Sequence, residues 1–179
     1  RNFAVRNNII FKGEASVKNG QFEIEFMVPK DISYAVGSGK VSYYARSKTS
    51  DANGFYTNFK VGGFNSDITE DVNGPDLKLF MNDTLFKSGG MTDENPLLLA
   101  FVNDVSGINT TGVGIGHDMV AYLDDNMSNV ILLNDFYRAN RDDFSRGVVR
   151  YPFAGLSEGK HTVVVRVWDS FNNTTTASI

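Results

Sequence analysis

Apolar residues in this chain recur mostly at every second position. Across Gln21 to Val28, Phe22, Ile24 and Phe26 alternate with Gln21, Glu23 and Glu25, the period of a strand with one apolar face. Ile9 to Val17 precedes it and leads into Lys18-Asn19-Gly20. Asn-Gly is favoured where both central turn residues need positive φ. The pattern therefore predicts a hairpin with arms 9–17 and 21–28, ended by Pro29, which removes a ladder donor. Two more strands are predicted, Lys40 to Arg46 and Phe55 to Val61, separated by the turn-rich Ser47–Gly54.

Gly62 to Asp76 reads as a junction, with Gly62-Gly63, then Asp67, Glu70 and Asp71, then Asn73-Gly74-Pro75. Beyond it, seven strands are predicted near 76–82, 97–104, 118–124, 129–134, 146–151, 161–169 and 174–179, with turn clusters between them. That spacing is the pattern of an Ig-like sandwich. His161 to Asp169 is apolar on both alternations, which predicts a central strand. The fold class is thus all-β, as two consecutive Ig-like antiparallel β-sandwich domains. Residues 1–71 form a sandwich-like domain and residues 72–179 an Ig-like domain. The first is short for a complete sandwich, so either strands upstream of Arg1 are missing or its sheet leans on the second domain.

Composition supports this reading and narrows the function. The 179 residues include 17 Gly and only 4 Pro, and Asn and Asp are abundant, which suits a chain of short strands and turns. The net charge is -4, with no polybasic stretch, so nucleic acid is not an expected partner. No apolar run approaches the ~18–20 residues of a membrane helix, and direct membrane insertion is not expected. The junction also divides the charge: residues 1–71 carry 9 basic and 8 acidic groups, and residues 72–179 carry 8 and 13. There is no cysteine, which excludes disulfides, thiolate metal sites and a cysteine nucleophile within these residues.

Candidate chemistry is sparse. Gly112-Val113-Gly114-Ile115-Gly116-His117-Asp118 is glycine-rich, but its G-x-G-x-G spacing and the strand pattern after it do not fit a phosphate-binding loop, which needs a following helix. A loop of tight turns is expected. His117 with Asp118 would be the acid–base pair of a hydrolytic site, with Ser106 available, yet no nucleophile-elbow motif surrounds any serine. His161 reads as a strand-edge residue. Asp124-Asp125-Asn126, Asp142-Asp143 and Asp71-x-Asn73-Gly74-x-Asp76 offer hard oxygen ligands. A calcium ion at a loop or at the junction is the one structural cofactor they suggest. An EF-hand register through Gly74 fails, since it puts Thr69 first and Phe80 last. Tyr43-Tyr44, Phe55-Tyr56 and Phe136-Tyr137 could stack on sugar faces. No residue is assigned a catalytic, cofactor-binding or metal-binding role.

Several strings, in order, resemble one family. They are Pro75 to Asp83, Asp104 to Asn109 leading through Gly114 to Asp118, Leu123 to Asp125, Leu133 to Tyr137, Gly147 to Pro152, Leu156 to Thr162 and Val167 to Asn173. The segment 9–46, with Gly13 to Phe22 and Val28 to Ile32, fits as well. Together they resemble the region after the peptidase domain in the gingipain-like C25 cysteine peptidases that serve as sortases of the Bacteroidetes type IX secretion system. The resemblance implies a parent at the outer-membrane surface that processes secreted cargo and helps attach it to lipopolysaccharide. It implies as partners the upstream C25-type peptidase domain and other type IX secretion components. In that family the chemistry belongs to a Cys–His pair upstream, so no catalytic residue carries over to this cysteine-free chain. The resemblance also makes Asp83-Thr84-Leu85 a short O-glycosylation motif, beside its plainer reading as a turn. The rival to all of this is a carbohydrate-binding, lipopolysaccharide-binding or adhesin-like Ig module.

Overall fold

Alternation along the chain becomes antiparallel sheet throughout the computed structural model, which describes residues 9–32, 35–63, 65–111 and 116–179. In chain order the strands are β1 (Gly37–Ser38), β2 (Val41–Arg46), β3 (Asp51–Tyr56), β4 (Lys60–Val61), β5 (Asp76–Met81), β6 (Leu97–Asn103), β7 (Val120–Leu123), β8 (Ile131–Leu132), β9 (Tyr137–Asn140), β10 (Asp143–Pro152), β11 (Val163–Trp168) and β12 (Thr174–Ser178). Two four-stranded antiparallel sheets, ordered β5-β6-β10-β9 and β12-β11-β7-β8, make the layers of a β-sandwich.

The core lies between these layers. Leu98, Ala100 and Val102 of β6 point inward, as do Val163, Val165 and Val167 of β11, each set spaced by two as the pleat requires. Ala121, Val149, Met119 and Leu133 complete the packing. The expectation of a central strand over 161–169 holds: β11 pairs with β12 on one side and β7 on the other. The seven strands expected after the junction are all present. An eighth, β9, was not expected. Its four residues pair with β10 through an irregular register between Asp143 and Gly147, a bulge that no alternation pattern announces.

Upstream, the structure departs from the sequence reading in two places. Asn19 and Gly20 take φ of 52° and 77°, the expected primed turn, and Lys18 and Gln21 exchange backbone bonds of 2.9 and 3.0 Å. Past that pair the arms 9–17 and 21–28 form no regular ladder. The predicted strand Phe55 to Val61 is also split. β3 begins at Asp51, inside the stretch read as turn, because the Ser47 hydroxyl accepts from the Thr49 and Ser50 amides and closes the turn early. β2 pairs with β3 from Val41↔Tyr56 to Arg46↔Asp51, and β1 pairs with β4. Among described residues up to Gly63, only Pro29 is buried.

Candidate functional site

Every buried polar or charged residue among the described residues lies at one end of the sandwich: Asp104, Ser106, Asn109, Asp169 and Ser170. Buried polar groups must be hydrogen-bonded or they cost stability, so this end has been built around them. β11 ends at Trp168, and Asp169 caps the turn to β12. Its Oδ1 accepts from the Phe171 amide at 2.8 Å and the Asn173 amide at 2.7 Å, and its Oδ2 from Asn173 Nδ2 at 2.8 Å. The 104–109 loop lies alongside, with the Asn109 amide donating to the Trp168 carbonyl and the Ser170 amide to the Gly107 carbonyl. Gly107 sits at φ 80°, and an added Cβ would meet the Phe144 ring at 2.9 Å, so a side chain is excluded twice over.

Two segments from the N-terminal part of the chain tie into this end. The Lys30 amide donates to the Ser170 carbonyl at 2.9 Å, and Lys30 Nζ lies 4.6 Å from the Phe171 ring centroid. Asp31 is half-buried as a residue, with its side chain only 6% exposed, and accepts from Asn109 Nδ2 at 2.8 Å. Both Asp31 carboxylate oxygens lie 2.8 Å from His117 Nδ1, and the His117 ring packs on Trp168 with centroids 4.3 Å apart. The second tie is 71–75. The Ser106 hydroxyl donates to Asp71 Oδ2 at 2.5 Å, and Asn173 Nδ2 donates to the Asp71 carbonyl at 2.9 Å. Gly74 lies so close to β12 that a Cβ there would sit 2.5 Å from the Thr174 carbonyl oxygen.

The electrostatics at this end are one-sided. Asp71, Asp104 and Asp169 bring carboxylate oxygens within 4.8 Å of one another. Burial pushes the Asp104 carboxyl up to about 6, and the charges of Asp169 and Asp71 add to the rise, against the pull of the Ser106 amide. Asp71 moves the other way, held low first by the Ser106 hydroxyl and then by the Asn73 amide. Such oxygens suit a hard divalent cation, and of the three acidic strings read from the sequence, only the one containing Asp71 joins such a group among the described residues. Both oxygens of Asp71 and of Asp169, and Oδ1 of Asp104, already accept hydrogen bonds.

The candidate hydrolytic residues are not assembled. His117 pairs with Asp31, not with Asp118, and the Ser106 hydroxyl donates its hydrogen bond to Asp71. Residues 112–115 of the glycine-rich string lie outside the described residues. A different Ser-His-Asp set does form: Asp124 Oδ2 lies 2.7 Å from His161 Nδ1, and Ser157 Oγ lies 3.4 Å from His161 Nε2. The shorter contact of Nε2, however, is 2.8 Å to the Ser157 carbonyl. A carbonyl only accepts, so Nε2 carries a proton toward it and has no lone pair for the serine. With an acceptor at each nitrogen, the His161 pKa is raised, by the Ser157 carbonyl first and then by Asp124. The set is a loop clamp, closed by the Thr162 amide on Asp124 Oδ1 at 2.8 Å.

Of the aromatic pairs, Phe136-Tyr137 is not a platform. Tyr137 is buried in the core, and Phe136 packs edge-on against Tyr151. The β2–β3 ribbon does expose its rings, with Tyr43 and Tyr56 on one face and Tyr44 and Phe55 on the other. Asp83-Thr84-Leu85 is an exposed turn in which the Leu85 amide donates to Asp83 Oδ1.

No protein-family model and no curated protein sequence matches the chain. Among solved structures it aligns with the crystal structure of dimeric latent PorU from Porphyromonas gingivalis, at 34% identity over 90% of this chain, with a TM-score of 0.59. The chain is similar to a region of PorU. The chain covers 15% of the PorU chain's length, so the likeness concerns one region of a much larger protein. It runs in the direction that the strings in the sequence indicated. Sequence reasoning passed over Asp31, Asp104, Asn109 and Asp169 as working residues. The one available signal was an acid directly ending the apolar run before a turn, as Asp169 does.

Proposed function

We propose that this chain is the non-catalytic β-sandwich region of a PorU-like C25-type peptidase of the type IX secretion system. In this reading it supports the peptidase domain at the outer-membrane surface. It also presents a surface to secretion components during processing and attachment of secreted cargo. The observation that carries the proposal is the 34% identity to PorU across 90% of the chain. The absence of cysteine agrees with it, since the chemistry of a cysteine peptidase would then lie elsewhere in the parent. The polar end described above gives the region a means of holding its N-terminal part and its sandwich in a fixed relation. Sequencing the gene around this segment tests the assignment: a C25-type peptidase domain is expected in the same reading frame, and its absence overturns the proposal. Within such a parent, loosening the polar end by Asp31→Ala is expected to reduce cargo processing while the peptidase domain stays folded.

A second reading, carbohydrate or lipopolysaccharide recognition, is favoured by one observation. Tyr44 and Phe55 are 62% and 66% exposed on one face of the β2–β3 ribbon, with Lys40 Nζ 5.1 Å from the Phe55 ring centroid. Flat exposed rings beside a cation suit a sugar carrying an anionic group. Tyrosine fluorescence that does not change on adding lipopolysaccharide would remove this reading.

A further inference from the structure

The second arm of the N-terminal hairpin is unpaired. Beyond the Lys18–Gln21 pair, the stretch Phe22–Val28 makes no backbone hydrogen bond among the described residues. Along it, the exposed apolar groups Phe22 and Ile24 alternate in sequence with the exposed Glu23 and Glu25. Phe11 of the first arm stacks on Phe26 of the second, with centroids 4.6 Å apart and planes within 8°. The hairpin is also anchored from outside. The Ser16 amide and hydroxyl donate to the two Asp142 oxygens at 2.6 and 2.5 Å, and the Asp142 amide donates to the Glu14 carbonyl at 3.0 Å. Between the open arm and the β9–β10 tip runs a cleft of about 1250 Å³.

The charge of that cleft selects its occupant. Glu14, Glu23, Glu25, Asp142 and Asp143 line it against Lys18 alone. Arg141 takes up Glu14 at 3.3 Å, and Arg146 takes up Asp143 at 3.8 Å. Glu23 and Glu25 have no cationic partner within 4.0 Å among the described residues. An extended backbone with free donors and acceptors pairs with another extended backbone, and its alternate side chains then choose the partner's sequence.

We propose that Phe22–Val28 is an open strand that accepts an extended polypeptide of alternating basic and apolar residues. The partner's backbone pairs along the arm, its basic side chains meet Glu23 and Glu25, and its apolar side chains cover Phe22 and Ile24. This goes beyond the PorU-like reading and does not depend on it.

The test uses the whole 179-residue chain and a short acetylated peptide of alternating lysine and valine. Hydrogen exchange of the Phe22–Val28 amides, fast in the free chain, is expected to slow on adding the peptide. Glu23→Lys with Glu25→Lys is expected to weaken binding by at least about tenfold, as is methylation of alternate peptide nitrogens. An alternating glutamate–valine peptide is expected not to bind. Protection at the β9 or β12 edge instead overturns the proposal. So does equal binding of the methylated or the acidic peptide, or no binding at all.

Discussion

Asp31 and His117 are 86 residues apart in sequence, and Asp31 places both of its carboxylate oxygens 2.8 Å from the His117 ring nitrogen Nδ1. With Asn109 donating to the same carboxylate, this contact fastens the segment after Pro29 to the end of the sandwich. Asp31→Ala strips the partner from both donors. Leaving partly buried donors unpaired costs about 1–3 kcal/mol, and urea denaturation is expected to show a loss of that size. A double-mutant cycle with His117→Ala checks the pairing, and additive losses would mean that the two residues act separately.

Asp104 sets a pH dependence opposite to that of an ion-paired carboxylate. Its folded pKa, about 6, lies above the ordinary 3.8, so the native state holds the proton more tightly than the unfolded chain. Its stabilising effect is therefore greatest below 3.8 and is lost as pH rises through 6, by on the order of 2–3 kcal/mol. Asp104→Asn keeps an acceptor for the Ser106 amide and removes the charge. The variant is expected to be more stable than the parent chain at pH 7, with the advantage vanishing near pH 4. Equal stability at both pH values would contradict this account.

The His161–Asp124 clamp has a window bounded on both sides. The raised pKa of His161 means that its contribution is complete below 6.5 and is lost as pH rises through the folded value. Asp124 is lowered from 3.8, chiefly by its bond to His161, so its contribution is present above 3.8 and is lost as pH falls through the folded value. An NMR titration of the His161 ring is expected to give a midpoint above 6.5. In Asp124→Ala the midpoint is expected to move back toward that value. A midpoint at or below it in the unaltered chain would rule the clamp out.

Asp142 holds the N-terminal hairpin through Ser16, and its own φ of 61° favours glycine as the replacement. Asp142→Gly is therefore expected to free the hairpin without straining the β9–β10 turn. Limited proteolysis would show it as faster cleavage within residues 11–28, with the sandwich left intact. Unchanged cleavage would place the anchor elsewhere.

For the carboxylates of Asp71, Asp104 and Asp169, internal N–H and O–H donors already serve all the oxygens but one. The expected outcome is a melting temperature unmoved by a chelator. A rise on adding calcium, lost in Asp104→Asn, would instead make this group a cation site, since a ligand of the folded state stabilises by mass action.

Much of the sandwich was legible because its signals are local. The alternation in β6 and β11, the apolar character of both faces of β11 and the Asn19-Gly20 turn depend on backbone preference and on the strand period. β9 was not legible, because its four residues carry a bulged pairing that exists only once β10 lies beside them. The first hairpin misled in the opposite direction. Its alternation is sound, yet Ser16 and Glu14 bond to the β9–β10 tip and the arms form no backbone ladder beyond the Lys18–Gln21 pair. At the polar end, Asp71, Ser106 and His117 stood out in the sequence, but Asp31 did not, and neither did the pairing of Ser106 with Asp71.

The sequence by itself determined that the chain is all-β, where most strands fall, and that no thiol chemistry can occur within it. Those properties follow from residue identity and short-range spacing. Only the tertiary structure decided that His117 faces Asp31 rather than Asp118, that His161 has no lone pair for Ser157, and that the buried polar residues gather at one end. Whether a titratable group is an acid, a base or a fastening depends on which acceptor lies nearest to it and how much water remains around it. Both are fixed by contacts between segments far apart in the chain.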